Sequence, residues 1–203
     1  NEKDQETRGI LILNTLDNQQ EGFTENIQQI CNKYNCPLKN ITDKEVDVSL
    51  FHNLQGEYRI IFIRLHSTNH YNQTWLFTGE PYDQNKYIIE QLSDQIHRAR
   101  PYEDEKYVFC VTSLYMNLDL KTDLVYLMGC NTLETDDLSK TLIDSGVNNV
   151  IGWSGLVDLP YSDQVAYELC ELVLQGATET ELKNFCVFHD PDPRYHSQLL
   201  YKP

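Results

Sequence analysis

The chain has 203 residues, of which 40% are hydrophobic, and its 31 acidic residues against 16 basic ones give a formal net charge of −15. This length fits one domain, and no apolar run approaches the roughly 18 residues that a membrane-spanning helix needs. Nucleic-acid binding rests on clustered Lys and Arg, whereas this chain is acidic, so we expect no nucleic-acid partner. The short apolar runs likewise predict that no segment spans a membrane.

The N-terminal half predicts strands alternating with helices. Residues 1–8 are charged and are expected to form a leader, in a chain that begins at Asn1 without Met or a signal peptide, as a processed segment would. The apolar run 9–14 then predicts a buried strand, and apolar residues at helical spacing predict a helix over 19–34. Further predictions, in chain order, are a short strand near 46–50, a strong strand over 59–65 and an amphipathic helix within 86–99.

The C-terminal half repeats the pattern, with apolar strands predicted at 107–112, 123–130 and 147–153. Between the last two strands, an apolar stripe predicts a helix that ends at Gly146. A further helix is expected to begin with Ser162 as its cap and to end at Gly176, and Thr178 with Glu181 offers a capping box for one more short helix.

Strands that are almost uniformly apolar and alternate with helices predict an α/β fold, with a mainly parallel sheet covered by helices on both faces. No repeat or linker divides the sequence. We therefore expect a single domain over 1–203, in which residues 178–203 form an extension that packs on the edge of the sheet.

The six cysteines are too few for a scaffold built on disulfides at this length. Cys31 and Cys36 could form a bridge at the end of a helix, whereas Cys110 and Cys170 are expected to pack as small hydrophobic side chains. Zinc would need a set of ligands at suitable spacing. Because the nearest such cluster consists of tail residues, no metal or cofactor is expected; the cluster comprises Cys186, His189 and His196.

Two side chains with catalytic potential follow predicted strands directly. His66 comes after the strand at 59–65, and Cys130 ends the strand at 123–130. In an open α/β sheet, ligands bind beyond the carboxyl ends of the strands. If the two strands are neighbours, imidazole and thiol face one crevice, as a histidine-activated cysteine nucleophile requires. A packed thiol and a structural histidine remain the alternative, because free cysteines are often simply buried.

Other chemistries lack their motifs. A cysteine phosphatase loop needs an Arg shortly after the cysteine to bind phosphate, but residues 131–136 contain none. No glycine-rich dinucleotide fingerprint and no Walker loop occurs, and the residues around Ser154 do not complete the pattern of a nucleophile elbow.

The segments "RLHS", "LMGCNTLETDDLSKTLIDSGVNNVIGW" and "AYELCELVLQG" resemble the caspase-like cysteine peptidases, the group that contains caspases, legumain, gingipains, clostripain and separase. The resemblance covers residues 9–176, is strongest over 124–176, and is closest to the separase-like and prokaryotic branches. It implies a three-layer caspase-like fold and hydrolysis of peptide bonds in a peptide or protein substrate.

The resemblance also implies site residues. His66 would be the general base and Cys130 the nucleophile, with backbone N–H groups around Ser67 and at Gly129 and Cys130 binding the oxyanion. Many members have Gly where this chain has Ser67.

Substrate-binding residues are where this chain departs from the family. Members that cut after Arg or Lys often have Asp at the position of Met128, so another acid must line the pocket if a basic residue is accepted. Asp163, Asp158 and Asp17 are the candidate acids, and Met128 and Trp153 are the other residues expected to bind substrate. Asp163 could equally be a charge that interacts with a helix N-terminus.

Two other functions stay open at this point. The chain could be a non-catalytic caspase-like module, or an enzyme that needs a regulatory partner or a larger parent chain, since fold does not determine function. It could also be a small-molecule hydrolase that uses the same His66 and Cys130. The sequence does not indicate a cellular location.

Overall fold

The computed structural model describes residues 8–203, so the expected leader lies outside the described residues except for Arg8. Two short 3₁₀ turns, Asp43–Glu45 and Ser113–Tyr115, accompany the helices and strands. In chain order the other elements are β1 (Gly9–Asn14), α1 (Phe23–Lys33), β2 (Leu38–Thr42), α2 (Val48–Asn53), β3 (Gln55–Arg64), β4 (Ser67–His70), β5 (Gln73–Pro81), α3 (Ile88–Leu92), β6 (Ile96–Ala99), β7 (Val108–Thr112), β8 (Asp119–Leu127), α4 (Asp137–Asp144), β9 (Val150–Trp153), α5 (Leu159–Leu174), α6 (Glu179–Phe188) and β10 (Leu199–Lys202).

The main sheet has six strands in the order β10-β9-β8-β3-β1-β2. Neighbouring strands run parallel, except that β10 is antiparallel to β9 at one edge. The inner strands are apolar because both faces of the sheet are covered, as is usual for parallel sheets. The prediction of an α/β fold with a mainly parallel sheet is confirmed.

Each face of the main sheet has its own hydrophobic core. On one face, α1, α5 and α6 contribute Phe23, Val165 and Leu182 to a core with β1, β3 and β8. The other face is covered by α2 and α4, which contribute Phe51 and Leu138, and by strands of a second sheet. This arrangement is consistent with a three-layer α/β fold.

The second sheet was not expected from the sequence. Its four strands are antiparallel and follow the order β4-β5-β7-β6. The predicted helix within 86–99 is wrong, because only Ile88–Leu92 is helical, and Ile89 and Leu92 are 76% and 82% exposed. Ile96, which was assigned to the helical stripe, is instead buried in β6.

The predicted strand near 46–50 is also wrong. Val48–Asn53 forms α2, and the Asp47 carboxylate accepts a hydrogen bond of 2.8 Å from the Leu50 N–H as its N-cap. The alternation of apolar residues there reflects Val46, Val48 and Phe51, which are buried against the main sheet from a turn and a short helix. The strand of this region lies earlier, at Leu38–Thr42.

Helix boundaries in the C-terminal half are partly as predicted. Gly146 follows α4 with a φ of 99°, a conformation that favours glycine. The Thr178 and Glu181 capping box is present at α6. However, α5 begins at Leu159, so Ser162 is not its cap; its hydroxyl lies inside the core and donates to the Met128 carbonyl oxygen at 3.1 Å.

The cysteines form no disulfide among the described residues, which include all six of them. Cys110 and Cys170 are fully buried, as predicted. Within residues 8–203, no helix combines the length and the apolar character that crossing a membrane would require.

Candidate active site

The two predicted catalytic residues follow neighbouring parallel strands. In the register of β3 and β8, Ile63 is paired with Leu127, and His66 and Cys130 each lie three positions further along the chain. Parallel strands end at the same edge of a sheet, so the shared register brings both side chains to that edge.

Both residues line one cavity of about 370 Å³, which we call the cysteine cavity. His66 and Cys130 are each half-buried. A second cavity of about 690 Å³, which we call the outer cavity, shares His66 and Gln19 with the first and is not lined by Cys130. The two cavities therefore meet at the imidazole.

Close packing fixes the turn that carries Cys130. The Ser67 hydroxyl donates to the Cys130 carbonyl oxygen at 2.7 Å, which ties the two strand ends together. A β-carbon on Gly129 would overlap Ser67 Oγ and lie 2.5 Å from the Leu65 carbonyl oxygen, so only glycine fits. Asn131, with a φ of 55°, completes the turn.

The backbone donors of this turn are available to a ligand. Among the described residues, neither the Gly129 nor the Cys130 N–H donates to another backbone group. The following N–H, that of Asn131, donates to the Gly155 carbonyl oxygen at 2.8 Å. Free backbone donors beside a nucleophile are what an oxyanion-binding site requires.

His66 is held in a partly apolar environment. The side-chain nitrogen of Gln19 lies 2.8 Å from His66 Nε2, and the Tyr102 ring contacts the imidazole edge-on with 5.5 Å between ring centroids. Burial lowers the pKa of His66 to about 4. The imidazole is therefore neutral near pH 7, and the same burial makes it a weaker base than a solvated histidine, because burial disfavours the protonated form.

Cys130 is a neutral thiol in this environment. Burial raises its pKa, and the nearby Asp192 carboxylate adds to the rise, whereas the Val157 carbonyl oxygen, 3.9 Å from Sγ, is placed to accept a hydrogen bond from the thiol. No hydrogen bond joins Cys130 to His66 in the described part of the chain. Both partners are thus uncharged at rest, and a proton must move when the sulfur attacks.

Asp163 does not line the cysteine cavity. It is 3% exposed, and its two carboxylate oxygens accept hydrogen bonds of 2.8 and 2.9 Å from the Arg64 guanidinium. Arg64 is fully buried, and it also donates to Asn14 Oδ1 at 3.0 Å. Burial raises the pKa of Asp163, and the hydrogen bonds from Arg64 oppose that rise. A substrate cation could reach this carboxylate only by displacing Arg64.

Of the other predicted substrate-binding residues, some line the cysteine cavity and some do not. Met128 and Asp158 line the cysteine cavity. Trp153 does not, because it is fully buried and donates its indole N–H to the Tyr126 hydroxyl at 3.0 Å. Asp17 lies beside a different, shallow depression, with its carboxylate 3.6 Å from Arg64.

Three residues of the site were missed in the sequence. Arg64 interrupts an otherwise apolar strand, and a charge in such a position signals a buried partner. Gln19 and Arg194 carried no comparable signal, because polar loop residues are common and their contacts depend on the fold. Arg194 lines the cysteine cavity and donates to Asp158 at 3.1 Å.

The described residues contain no group of three side chains that could hold a metal ion. In the tail cluster considered for zinc, His189 packs instead against the rings of Tyr161 and Phe185, with centroid distances of 5.8 and 4.8 Å. The chemistry available at the cysteine cavity is that of a thiol, an imidazole and backbone donors.

A scan against models of protein families found no match, and a search of curated proteins found none either. What the site does must therefore be inferred from its own residues.

Proposed function

We propose that the chain is a cysteine endopeptidase of the caspase-like type, with Cys130 as nucleophile and His66 as general base and acid. The observation that carries the proposal is the shared register of β3 and β8, which delivers an imidazole and a thiol to one cavity. The cavity also contains backbone donors and a glycine that no other residue can replace without overlap.

The neutral resting pair determines the first step. As Cys130 Sγ attacks the carbonyl carbon of the scissile bond, the thiol proton passes to His66, which burial keeps unprotonated. Negative charge then develops on the substrate oxygen, where the N–H groups of Gly129 and Cys130 can bind it. Donors of this kind contribute about 3–4 kcal/mol to stabilising the transition state.

The imidazolium then completes the cleavage. His66 gives its proton to the leaving nitrogen, the C–N bond breaks, and the acyl group remains on sulfur as a thioester. A water molecule attacks the thioester while His66 accepts a proton from it, and the returning proton restores the Cys130 thiol as the acid product leaves. No net redox change occurs.

The two cavities favour an endopeptidase over a small-molecule hydrolase. The cysteine cavity and the outer cavity share Gln19 and His66 in their walls, and each has further lining residues of its own. A substrate that fills both continues on each side of the reacting bond, as a polypeptide does. An enclosed pocket of the kind used for small molecules would end at the catalytic pair.

The proposal is tested by covalent labelling. A thiol-directed peptidyl acyloxymethyl ketone is incubated with the protein, and the adduct is located by mass spectrometry while peptide hydrolysis is measured in parallel. We expect one adduct, at Cys130, together with loss of hydrolysis in Cys130→Ala. Cys186→Ala, which alters a buried thiol outside the cysteine cavity, is the matched control. Adducts elsewhere, or unchanged hydrolysis in Cys130→Ala, would contradict the proposal.

One observation favours the rival, a non-catalytic or partner-activated module. The thiol pKa is raised, and Cys130 has no hydrogen bond to His66 among the described contacts. The two readings differ in how His66 affects labelling. In a peptidase, His66→Ala slows reaction of Cys130 with the peptidyl ketone at least tenfold, whereas in a non-catalytic module the rate is unchanged. Adding candidate partners to the same assay identifies an activated form.

A further inference from the structure

The chemistry of the proposed reaction gives each cavity a direction along the substrate. His66 protonates the leaving nitrogen, and of the two catalytic residues it alone also lines the outer cavity, so we place the residues after the scissile bond there. The residue before the bond carries the carbonyl that Cys130 attacks, so its side chain lies in the cysteine cavity. The lining of the cysteine cavity therefore selects the residue at which a substrate is cut.

The wall of the cysteine cavity combines polar side chains, such as Gln19 and Gln20, with a group of aliphatic ones. The loop after β1 contributes one aliphatic side chain, the ends of β3 and β8 contribute one each, and the segment after β9 contributes the rest. These residues are Leu16, Leu65, Met128, Leu156, Val157, Leu159 and Pro160. Such a surface favours an apolar side chain, because burying apolar area is the dominant favourable contribution to binding.

The charged groups of this wall neutralise each other. Among the described residues that line the cavity, Asp158 and Arg194 are the ones that carry a formal charge near pH 7, and they form an ion pair of 3.1 Å. We call Asp158 and Arg194 the rim pair. A basic substrate residue would compete with Arg194 for the carboxylate, and an acidic one would compete with Asp158 for the guanidinium.

The deeper acid is equally unavailable. Asp163 is held by Arg64 through two hydrogen bonds, and neither residue lines the cavity. The Asp192 carboxylate near Cys130 is fully buried, lies outside the lining and accepts hydrogen bonds from three backbone N–H groups. A lysine or arginine inserted beside Met128 would therefore lose its hydration and meet only carboxylates that already have hydrogen-bond partners. Burying a charge without a partner is strongly unfavourable.

We infer that this peptidase cuts after an uncharged apolar residue of the size of Leu or Met, and not after Arg or Lys. The inference rests on the proposed function and identifies the substrate class of that same site. It replaces the expectation of a basic residue, which depended on a free acid in the pocket.

The test uses peptides that are identical except at the residue before the scissile bond, which is Leu, Met, Arg, Lys or Asp. We expect kcat/KM for the Leu and Met peptides to exceed that for the Arg and Lys peptides at least tenfold. Equal rates, or faster cleavage after Arg or Lys, would overturn the inference while leaving a cysteine peptidase in place.

Two variants examine the wall directly. Arg194→Ala releases Asp158, so cleavage after Arg and Lys should rise severalfold relative to Leu. Leu156→Asp puts a carboxylate at a position that is 50% exposed, where folding tolerates it, and should have the same effect more strongly. The matched control is Arg98→Ala, which removes an arginine that packs on Tyr107 in the second sheet and should leave the preference unchanged. An unchanged preference in both test variants would contradict the assignment of this wall.

Binding without catalysis separates the inference from the proposed function. Product peptides that end in Leu or Arg are titrated into Cys130→Ala by calorimetry. Tighter binding of the Leu peptide, at least tenfold, supports the pocket assignment even if the wild type hydrolyses nothing, in which case the proposed function fails alone. Tighter binding of the Arg peptide overturns the inference.

Discussion

The catalytic pair and a buried network outside the cavity use charge in opposite ways. The floor network, formed by the side chains of Arg64, Asp163 and Asn14, is buried, and its charges are paired through hydrogen bonds of 2.8 to 3.0 Å. The cleft mouth, which consists of His66 and Cys130, contains no charged pair at rest, because burial favours the neutral form of both groups. Asp163, which the sequence suggested as a candidate substrate-binding acid, is part of this buried network.

The difference shows that location along the chain does not decide what a charged residue does. Asp163 has the charge that could bind a substrate cation, but Arg64 on β3 lies beneath it and takes both of its oxygens. The hydrogen bonds between Asp163 and Arg64 therefore join α5 to β3. The mouth can then remain uncharged, which suits a mechanism in which charge appears only in the transition state.

The largest change in the free energy of unfolding is expected for a variant of the floor network. Asp163→Ala leaves the Arg64 guanidinium buried without its carboxylate, and removing one partner of a buried pair costs about 3–5 kcal/mol of the free energy of unfolding. Urea denaturation of wild type and variant measures the difference. A loss below about 1 kcal/mol would mean that the floor network is hydrated in solution.

A double variant separates the pairing from the burial. Arg64→Met with Asp163→Leu removes both charges and fills similar volume, so we expect it to be more stable than Asp163→Ala. If the double variant is the less stable of the two, the charges themselves stabilise the floor more than apolar packing would.

A second prediction concerns pH and His66. In the folded protein His66 binds its proton only below about pH 4, against 6.5 for an unperturbed imidazole. Between these values the unfolded chain holds the extra proton, so this contribution to stability falls as the pH is lowered from about 6.5 to 4. At about 1.4 kcal/mol per pKa unit, and allowing for partial exposure, the loss is on the order of 2–3 kcal/mol.

The measurement is the free energy of unfolding of wild type minus that of His66→Gln at several pH values. Carboxylates titrate in the same range in both proteins and cancel in the difference. The difference should decline toward acid pH and level off near pH 4. A flat difference would mean that His66 is hydrated and titrates normally.

The third prediction tests close packing at the mouth. Gly129→Ala forces a methyl group against Ser67 Oγ and the Leu65 carbonyl oxygen, and overpacking of this kind costs about 1–3 kcal/mol. Ser67→Ala in the same chain should recover part of the loss. Gly155→Ala is the control, because its nearest neighbour would be Ser197 Cβ at 3.3 Å and the cost should be smaller. Equal losses at the two glycines would show that the turn at Cys130 is not specially tight.

The parallel sheet and its strand ends were predictable because their signal is local. Apolar runs mark β1, β3 and β8, and a polar residue at the end of each run marks the edge, which led to His66 and Cys130. The second sheet was not, because β5 and β6 are stabilised by pairing with β7, and such pairing leaves little trace in a short window of sequence.

Contacts between distant residues account for the rest of what the sequence did not reveal. The hydrogen bonds of Asp163 with Arg64 join residues 99 positions apart, and the Gln19 contact with His66 spans 47. A carboxylate near a helix start looks the same in sequence whether it is free or paired. Only the crossing of β3 by α5 decides between the two, and the sequence pattern carries no information on where that crossing lies.

The smallest change in the free energy of unfolding is expected at the rim pair. Like Arg64 and Asp163, it joins an arginine to an aspartate, but it is exposed to solvent. The Arg194 side chain is 66% exposed and that of Asp158 is 29% exposed. Exposed pairs contribute about 0–1 kcal/mol, so Arg194→Ala should change the free energy of unfolding by less than about 1 kcal/mol. Urea denaturation at low and high salt measures this change, which screening should reduce further. A loss as large as that of Asp163→Ala would show that burial does not distinguish floor from rim.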